Sequence, residues 1–331
     1  MRLLRGLLLA ALAMALLGAG WLYWFATRPL DYVAPIEVTV RPGWGLALVA
    51  NQLVDTGMLV EPYSLRILAG LTHRQRAIHA GTYRFDKPLT PLELLDKLGR
   101  GDVVLADMRF VEGTTLRQWL AQLSQEEKLR KALAPRDDAG VRALLGLATQ
   151  NAEGWLFPDT YRFAPGTPDT EVLKRAHAAM KRRLEAAWAA RDPQLPLETP
   201  YQFLILASIV EKETGAAAER PLVASVFVNR LRKGMRLQTD PTVIYGIGEK
   251  YDGNIRKRDL TTDTPWNTYT RDGLPPTPIA MPGAASLQAV SRPAQSDFLY
   301  FVGKADGTGT HHFSRTLEEH NRAVAKYQLK R

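Results

Sequence analysis

Two carboxylates, Glu211 and Glu213, stand near the end of one predicted helix and are the side chains best suited to acid–base chemistry. Helical spacing puts Glu213 in line with Phe203, Leu206 and Val210, so a carboxyl group arrives where the pattern calls for an apolar residue. Burial and the negative end of the helix dipole both raise the pKa of a carboxyl group in that position. A carboxylic acid that stays protonated near neutral pH can act as a general acid.

We therefore interpret Glu213 as the catalytic acid. Glu211 lies roughly 200° away around a helix of 3.6 residues per turn, so the two carboxyl groups are not expected to share one pocket. Glu211 is expected to support Glu213 from a salt bridge or from the surrounding contacts. A buried ion pair with a purely structural role remains open for Glu213, because such pairs also perturb carboxyl groups.

The boundaries of this helix follow from its flanking residues. Thr199 and Gln202 have the spacing of a capping box, and Pro200 suits the first helical position. Gly215 is predicted to end the helix as a left-handed residue. The segment between these boundaries is mostly apolar, which predicts a helix that is largely buried.

Composition and charge narrow the class of protein. The chain has 331 residues, 46% of them hydrophobic, which allows two folded domains. Its net charge of +9 is spread widely and fits a protein near anionic lipid or wall polymer better than a nucleic-acid binder. The absence of cysteine excludes disulfides and thiolate metal sites. No zinc-protease, phosphate-loop or hydrolase-elbow motif is present.

The N-terminal segment predicts a membrane anchor. Arg2 and Arg5 precede an uncharged run over residues 6–27, which at about 1.5 Å per residue spans the roughly 30 Å hydrocarbon core. A cleaved signal peptide is the alternative, with small residues around Ala19. The run is longer than a signal core and ends in the interfacial aromatic residues Trp21, Tyr23 and Trp24, which favours an anchor with its N-terminus inside.

The next segment predicts a small unit of two strands and two helices. Strand patterns at 36–40 and 82–85 enclose helical patterns at 46–53 and 64–71, and a further helix is predicted over 91–98, closed by Gly99. This β–α–α–β order resembles a LysM module, which binds chains containing N-acetylglucosamine. A plain α+β packing domain is the alternative.

The middle and C-terminal segments mix helices with long loops. Helices are predicted over 172–190 and 219–233, a turn at Asp240-Pro241, a functional loop over 261–282 and a strand over 299–302. The aromatic segment 153–163 suits either a sugar-binding cleft wall or the core. The adjacent His311 and His312 would point to opposite faces of a strand, which argues against a shared metal site.

Several of these segments together resemble the YceG/MltG family of endolytic murein transglycosylases. They are Ala-Ser-Ile-Val-Glu-Lys-Glu-Thr (207–214), Val-Phe-Val-Asn-Arg-Leu (226–231), Met-Arg-Leu-Gln-Thr-Asp-Pro-Thr-Val-Ile-Tyr-Gly (235–246), Asn-Thr-Tyr (267–269), Gly-Leu-Pro-Pro (273–276) and Ile-Ala-Met-Pro-Gly (279–283). The segment Glu-Gly-Trp-Leu-Phe-Pro-Asp-Thr (153–160) also fits.

The resemblance implies an α+β protein with three parts. A cytoplasmic stub and transmembrane anchor would cover 1–28, a LysM-like domain 33–104 and a mixed α+β catalytic domain, similar to lytic transglycosylases, 105–331. The protein would lie in the inner membrane as a single-pass protein, with its C-terminal part in the periplasm. Its partners would be peptidoglycan glycan strands, the membrane, wall synthases and the elongation or division machinery, with no nucleic acid.

The resemblance also implies the reaction. The enzyme would cleave between N-acetylmuramic acid and N-acetylglucosamine inside a strand and leave a 1,6-anhydro end, with no metal or cofactor. Its catalytic glutamate would correspond to Glu213, with Glu211 as fallback. Five further residues would position the sugars or support the site: Gln238, Asp240, Tyr245, Asn267 and Tyr269.

Two other functions remain open at the level of sequence. One is a hydrolase that uses Glu213 together with Asp240 or Asp159 as a second carboxylate. The other is a non-catalytic wall-binding scaffold that docks synthases through the LysM-like unit. Each of the five supporting residues has the alternative role of fixing a loop through hydrogen bonds.

Overall fold

The computed structural model describes residues 2–74, 78–149 and 151–329. Some residues of the predicted domains lie outside this described part: Met1 and the Arg2 side chain of the anchor, 75–77 of the LysM-like range, and 150, 330 and 331 of the catalytic range. The chain divides into two compact units. The first comprises Met1–Asp107 and Arg162–Thr167, and the second comprises Met108–Tyr161 and Pro168–Arg331.

Both helices and strands occur along the chain, as expected for a mixed α and β protein. The helices are α1 Arg2–Thr27, α2 Leu46–Asp55, α3 Tyr63–Leu71, α4 Pro91–Arg100, α5 Leu116–Gln125, α6 Asp138–Leu145, α7 Asp169–Ala189, α8 Pro200–Glu213, α9 Arg220–Arg232, α10 Asp240–Ile247, α11 Lys257–Thr261, α12 Ala284–Ser291 and α13 Leu317–Tyr327. The strands are β1 Ile36–Val40, β2 Gly81–Phe85, β3 Ala106–Arg109, β4 Thr160–Phe163, β5 Tyr300–Gly303 and β6 His311–Ser314.

The strands of the described chain form three two-stranded sheets: β1 with β2, β3 with β4, and β5 with β6. The first pair is antiparallel, from Ile36 opposite Phe85 to Val40 opposite Gly81. The β5–β6 pair is also antiparallel and sets Gly303 opposite His311. Because each sheet is so small, the hydrophobic core of each unit depends mainly on its helices.

The first unit contains the predicted β–α–α–β order, as β1, α2, α3 and β2. Alternate residues of the strands are buried, including Val38, Val40 and Tyr83, and they pack on Leu53 and Leu65 of the two helices. The predicted strands and helices of this segment are therefore confirmed. Gly101, in the left-handed conformation with φ 66°, ends α4 in place of the predicted Gly99.

The apolar helix predicted at the N-terminus is also present. Its stretch Arg5–Thr27 comprises 23 residues and is long and apolar enough to cross a membrane. Most of its large apolar side chains are exposed, and only the last turns, through Leu22, Phe25 and Ala26, pack on the core of the first unit. Such an uncovered apolar surface is stable in lipid and costly in water.

The second unit is built around α8. Every residue from Phe203 to Val210 is buried, and the helix packs against α7, α9, α10 and α12. Burying side chains of this size stabilises the unit by about 1.5 to 3 kcal/mol each. This enclosure fixes the last turn of α8, and with it Glu213, relative to the surrounding helices.

The start of α8 is close to the prediction, whereas its end is not. The Thr199 side chain accepts from the Gln202 amide, and Pro200 is the first helical residue. The Gln202 side chain, however, accepts from the amide of Glu198 at 2.6 Å. The helix ends in extended backbone at Thr214, with φ −98° and ψ 107°, so the predicted left-handed end at Gly215 is wrong.

A second correction concerns Asp240-Pro241, which the sequence predicts as a turn. These residues instead begin α10, with Pro241 in its first turn. A proline in the first turn of a helix loses no intrahelical hydrogen bond, so the same dipeptide suits either structure. This difference matters because α10 carries both Asp240 and Tyr245.

Candidate active site

The last turn of α8 opens into a cavity of about 420 Å³. The cavity is enclosed by residues from α8, α9, α10, β5, β6 and α13 and by the loops that follow α9 and α11. Of the residues singled out by the sequence, it brings together four: Glu213, Gln238, Asp240 and Tyr269.

Glu213 is held through one of its two carboxylate oxygens. The Thr239 hydroxyl donates a hydrogen bond to Oε1. Oε2 has no protein hydrogen-bond partner in the described part of the chain. Burial raises the pKa of Glu213, and the nearby Asp240 carboxylate raises it further, while the Thr239 hydrogen bond and His311 lower it. The balance raises the pKa of Glu213 above that of an ordinary carboxyl group, and one of its oxygens is free to react.

Asp240 and Tyr269 form a hydrogen-bonded pair in the same cavity. The Tyr269 hydroxyl donates to Oδ1 of Asp240 at 2.6 Å. Burial raises the pKa of Tyr269, and the hydrogen bond to the carboxylate raises it further, so this phenol remains a donor. Asp240 is thus partly occupied by its tyrosine partner and adds a negative charge near Glu213.

Gln238 adopts a strained backbone conformation beside these groups. Its φ is 51°, in the left-handed region that non-glycine residues rarely adopt. Two contacts hold it there: its amide donates to the Thr268 carbonyl at 3.2 Å, and its Oε1 accepts from Nη1 of Arg230 at 3.1 Å. Residues kept in such conformations concentrate at functional sites, where the surrounding structure supports the strain.

Arg230 is a lining residue to which the sequence analysis assigned no role. It is only 7% exposed and donates to the carbonyls of Leu299, Arg236 and Leu237 at 2.7 to 3.0 Å. Burial lowers its pKa from the usual value, although an arginine remains charged at neutral pH. The available signal was a charged residue two positions after the apolar run 226–228 of α9.

His311 is a second residue that the sequence analysis missed, because it was considered only as a metal ligand. Its backbone amide and its Nδ1 both contact the carboxylate of Glu219, at 2.9 and 2.8 Å. Nδ1 therefore carries the proton that faces Glu219, which leaves Nε2 without a protein partner among the described residues. The ring lines the Glu213 cavity.

Glu211 does not line the Glu213 cavity. Its Oε2 accepts from the Gly283 amide at 2.9 Å and from the Ser286 hydroxyl at 2.7 Å, and its Oε1 lies 3.7 Å from the Arg220 guanidinium. These contacts join α8 to the start of α12. As the spacing predicts, the two carboxylates face different surroundings.

Asn267 and Tyr245 also lie outside the lining of the Glu213 cavity. Asn267 is 1% exposed, and its Nδ2 donates to the carbonyls of Asp259, Leu260 and Thr262. Its Oδ1 accepts from the Tyr269 amide at 2.9 Å, so it fixes the backbone that carries Tyr269. These are the loop-fixing hydrogen bonds of the alternative role.

Tyr245 contacts a second buried carboxyl group. Its hydroxyl donates to Oε2 of Glu153 at 3.2 Å, and the same carboxylate accepts from the Leu116 amide at the start of α5. Glu153 is 3% exposed, and its burial raises its pKa to about 8. The sequence analysis included Glu153 only as part of an aromatic segment.

The aromatic residues of that segment mostly belong to the core. Phe157, Tyr161 and Phe163 are buried, and Trp155 is partly buried against the core of the second unit. Asp159 is exposed and does not line the Glu213 cavity, in contrast to Asp240. No group of three metal-ligating side chains occurs within 2–74, 78–149 and 151–329.

Comparisons with known proteins show which family and which relatives this chain is similar to. The model of the YceG-like family matches residues 38–326. The chain is 34% identical to a Bacillus subtilis protein named endolytic murein transglycosylase, over 75% of the chain and 72% of that protein. It is 30% identical to a Streptococcus pneumoniae protein of the same name, over 95% of the chain but only 63% of that protein's length.

A solved structure is also similar. The crystal structure of a YceG-like protein from Listeria monocytogenes aligns with a TM-score of 0.56 and 30% sequence identity. The alignment covers 88% of this chain and 99% of that one.

Proposed function

Because this chain belongs to the YceG-like family, we propose that it is an endolytic lytic transglycosylase, a lyase that cleaves peptidoglycan glycan strands and leaves 1,6-anhydro ends. The observation that carries this proposal is the state of Glu213. One carboxyl group with a raised pKa and a free oxygen lies in a cavity whose other carboxylate, Asp240, already accepts a hydrogen bond from Tyr269. A single acid–base group is what a lytic cleavage needs.

In the proposed reaction, Glu213 donates its proton to the glycosidic oxygen as the bond to C1 of N-acetylmuramic acid breaks. The C6 hydroxyl of the same sugar then bonds to C1, and the Glu213 carboxylate accepts the C6 proton. The carboxyl group is regenerated and no water is consumed. Holding C6 close to C1 makes this intramolecular attack faster than attack by water.

The neighbouring groups have distinct proposed roles. The Asp240 carboxylate stabilises the positive charge that develops on the sugar ring, and Tyr269 orients Asp240. Gln238, fixed by Arg230, offers its amide nitrogen to the substrate. Glu211 and Asn267 support the site through the segments that they hold in place, and Tyr245 contributes outside the Glu213 cavity.

The remaining segments complete the proposal. Residues 1–28 anchor the protein in the inner membrane, 33–104 form a LysM-like domain, and 105–331 form a catalytic domain similar to those of lytic transglycosylases, in the periplasm. Peptidoglycan synthases and the elongation or division machinery are the proposed protein partners. The apolar helix α1 and the β–α–α–β order of the first unit support this arrangement.

The test is to digest purified sacculi with the full-length protein in detergent, comparing wild type with Glu213→Gln. Mass spectrometry of the products is expected to find anhydro-terminated fragments with wild type. Glu213→Gln is expected to be about a hundred- to ten-thousandfold slower, because loss of an acid–base group of this kind removes two to four orders of magnitude. Glu185→Gln, the same change at an exposed position, is the matched control.

Other outcomes point to other functions. Reducing ends in place of anhydro ends would contradict the lytic reaction and favour a two-carboxylate hydrolase using Asp240. If Glu213→Gln cuts as fast as wild type, the catalytic carboxylate is another residue, and Glu211 is the next candidate. If neither protein cuts and Glu213→Gln still complements a deletion strain, the non-catalytic scaffold is favoured.

A further inference from the structure

A second cavity, of about 710 Å³, lies along one face of α10. Pro241, Ile244, Tyr245 and Gly248 line it, with the spacing of residues on one side of a helix. A third cavity, of about 500 Å³, shares Tyr245, Glu153 and two other lining residues with it. We call these two adjoining cavities the α10 trough.

The α10 trough and the Glu213 cavity are lined by consecutive residues at two places in the chain. Lys212 lines the trough, whereas the next residue, Glu213, lines the catalytic cavity. Likewise Pro241 lines the trough and the preceding Asp240 lines the catalytic cavity. Neighbouring Cα atoms are about 3.8 Å apart, so the two cavities come close to each other at these two places, although they share no lining residue in the described part of the chain.

Aromatic rings provide the apolar surface of the trough. Tyr245, Tyr251 and Trp266 line it, and the rings of Tyr245 and Trp266 meet edge to face at 5.5 Å. The Trp266 Nε1 donates to the Thr277 hydroxyl at 2.9 Å, and Glu153 holds the Tyr245 hydroxyl. Rings fixed in this way lose little entropy on binding, and their electron-rich faces suit the C–H face of a sugar ring.

Polar groups of the trough match the edges of such a sugar. The side-chain oxygens of Gln118 and Asn151 already accept from the Thr115 and Glu153 amides, so their NH₂ groups are the parts that can donate to hydroxyl and acetamido oxygens. The charged Arg117 is already paired with Glu249 at 2.7 Å. Burial keeps Glu153 protonated at neutral pH, so it adds no negative charge to the trough.

We propose that the α10 trough binds N-acetylated sugar residues of the glycan strand beyond the pair that is cleaved at Glu213. This inference rests on the proposed function. It explains how a strand would be held past the catalytic cavity and cut internally rather than at its end.

The test measures binding of peptide-free glycan strands to full-length protein in detergent, in the Glu213→Gln background so that no cleavage occurs. Tyr251→Ala removes one ring of the trough, because Tyr251 has no side-chain hydrogen bond in the described chain. It is expected to weaken binding of long strands about three- to tenfold and to leave binding of a disaccharide unchanged. Tyr251→Phe, which keeps the ring, is expected to bind like the parent.

Tyr23→Ala, the same change at a 74% exposed tyrosine of α1, is the matched control. Unchanged binding of long strands by Tyr251→Ala would overturn the proposal. Equal weakening for strands and disaccharide, or failure of Tyr251→Phe to restore binding, would also overturn it, because the substitution would then act on the fold or on the Glu213 cavity.

The two proposals fail in different ways. If wild type makes no anhydro ends but long strands still bind in a Tyr251-dependent manner, the catalytic function is wrong and the trough stands. If wild type cleaves normally and Tyr251→Ala changes neither strand affinity nor the KM for long strands, the trough is wrong and the catalytic function stands.

Discussion

At the scale of single residues, Glu213 is subject to opposing influences on its pKa. Burial and the Asp240 carboxylate favour the protonated form, while Thr239 and His311 favour the charged form. A general acid must be protonated to act, so activity should decline as the pH rises through the pKa of this group. If Glu213 is the general acid, as proposed, its neighbours set the upper pH limit of the reaction.

Thr239→Val tests this dependence. The substitution removes the hydroxyl that donates to Oε1, so the pKa of Glu213 should rise and the alkaline limb of kcat/KM should move to higher pH. We also expect kcat to fall roughly tenfold, because the carboxyl group is no longer oriented. The measurement is the pH profile of kcat/KM on isolated glycan strands.

Thr239→Ser keeps the hydroxyl and is the matched control for the valine variant. Its profile should overlay that of wild type. An alkaline limb that stays in place in Thr239→Val would mean that the limb reports a group other than Glu213. A limb that moves to lower pH would contradict the direction derived from the hydrogen bond.

At the scale of elements, Glu153 links two helices through one buried carboxyl group. It accepts from the Leu116 amide at the start of α5 and from the Tyr245 hydroxyl of α10. The Thr115 side chain caps the same end of α5 with Gln118 in a capping box. Arg230 links α9 to other segments in a similar way. Its guanidinium donates to the carbonyls of Leu299, Arg236 and Leu237, which lie outside that helix. Such buried polar contacts stabilise only when every partner is satisfied.

Glu153→Gln should change how stability depends on pH. The pKa of Glu153 is about 8 in the folded protein against an ordinary 4.5, so between these values the folded state binds a proton that the unfolded state has lost. Wild-type stability therefore falls by about 1.4 kcal/mol per pH unit in that window through this group alone. Glutamine cannot ionise, so the variant should lose less stability from about pH 5 to about pH 8.

Thermal midpoints of the full-length proteins in detergent measure the effect. The thermal midpoint of Glu153→Gln minus that of wild type should therefore increase with pH. The increase should be about 2 to 4 °C for each kcal/mol of stability that wild type alone loses. The difference between the two curves isolates Glu153 from all other titrating groups. Glu185→Gln should run parallel to wild type, and a Glu153→Gln curve parallel to wild type would contradict a raised pKa.

At the scale of the whole molecule, α1 differs from all the other described helices. Its apolar side chains are exposed over most of its length, whereas helices such as α2, α4 and α8 bury an apolar face against a core. Such a surface is stable in lipid, so under the proposed anchor the rest of the chain would stay close to a membrane. An enzyme anchored in this way would reach only the part of the wall nearest to that membrane.

Two arginines in the middle of α1 should abolish the anchor. Leu12→Arg with Leu16→Arg places two charges at the centre of the span, at a cost of about 2.5 to 3.5 kcal/mol each. We expect wild type to stay with membranes through alkaline carbonate extraction and the double variant to be released or degraded. Leu71→Arg with Leu317→Arg, at similarly exposed leucines outside the span, should behave as wild type.

N-terminal sequencing of the mature protein distinguishes the alternative of a signal peptide. An intact N-terminus on the membrane-bound protein agrees with an anchor. A mature chain that begins after the apolar run would show that the segment is cleaved, and the anchor would then be wrong.

The elements that the sequence predicts well are those specified by neighbouring residues. Apolar spacing and a capping Thr predict α8, alternation predicts β1 and β2, and the long apolar run predicts α1. The two wrong predictions concern positions where the neighbouring residues allow more than one structure. Asp240-Pro241 suits a turn or the start of a helix, and a glycine such as Gly215 permits a left-handed end without requiring one.

By itself, the sequence determined that this is a mixed α and β protein with an apolar N-terminal helix and a carboxylate in the last turn of a buried helix. Only the tertiary structure decided which groups meet that carboxylate. It brings Asp240, Tyr269 and His311 to Glu213 and leaves Asn267 and Tyr245 elsewhere. The reason is physical: these residues are distant along the chain, and packing between helices, rather than any pattern of neighbours, sets which of them share a cavity.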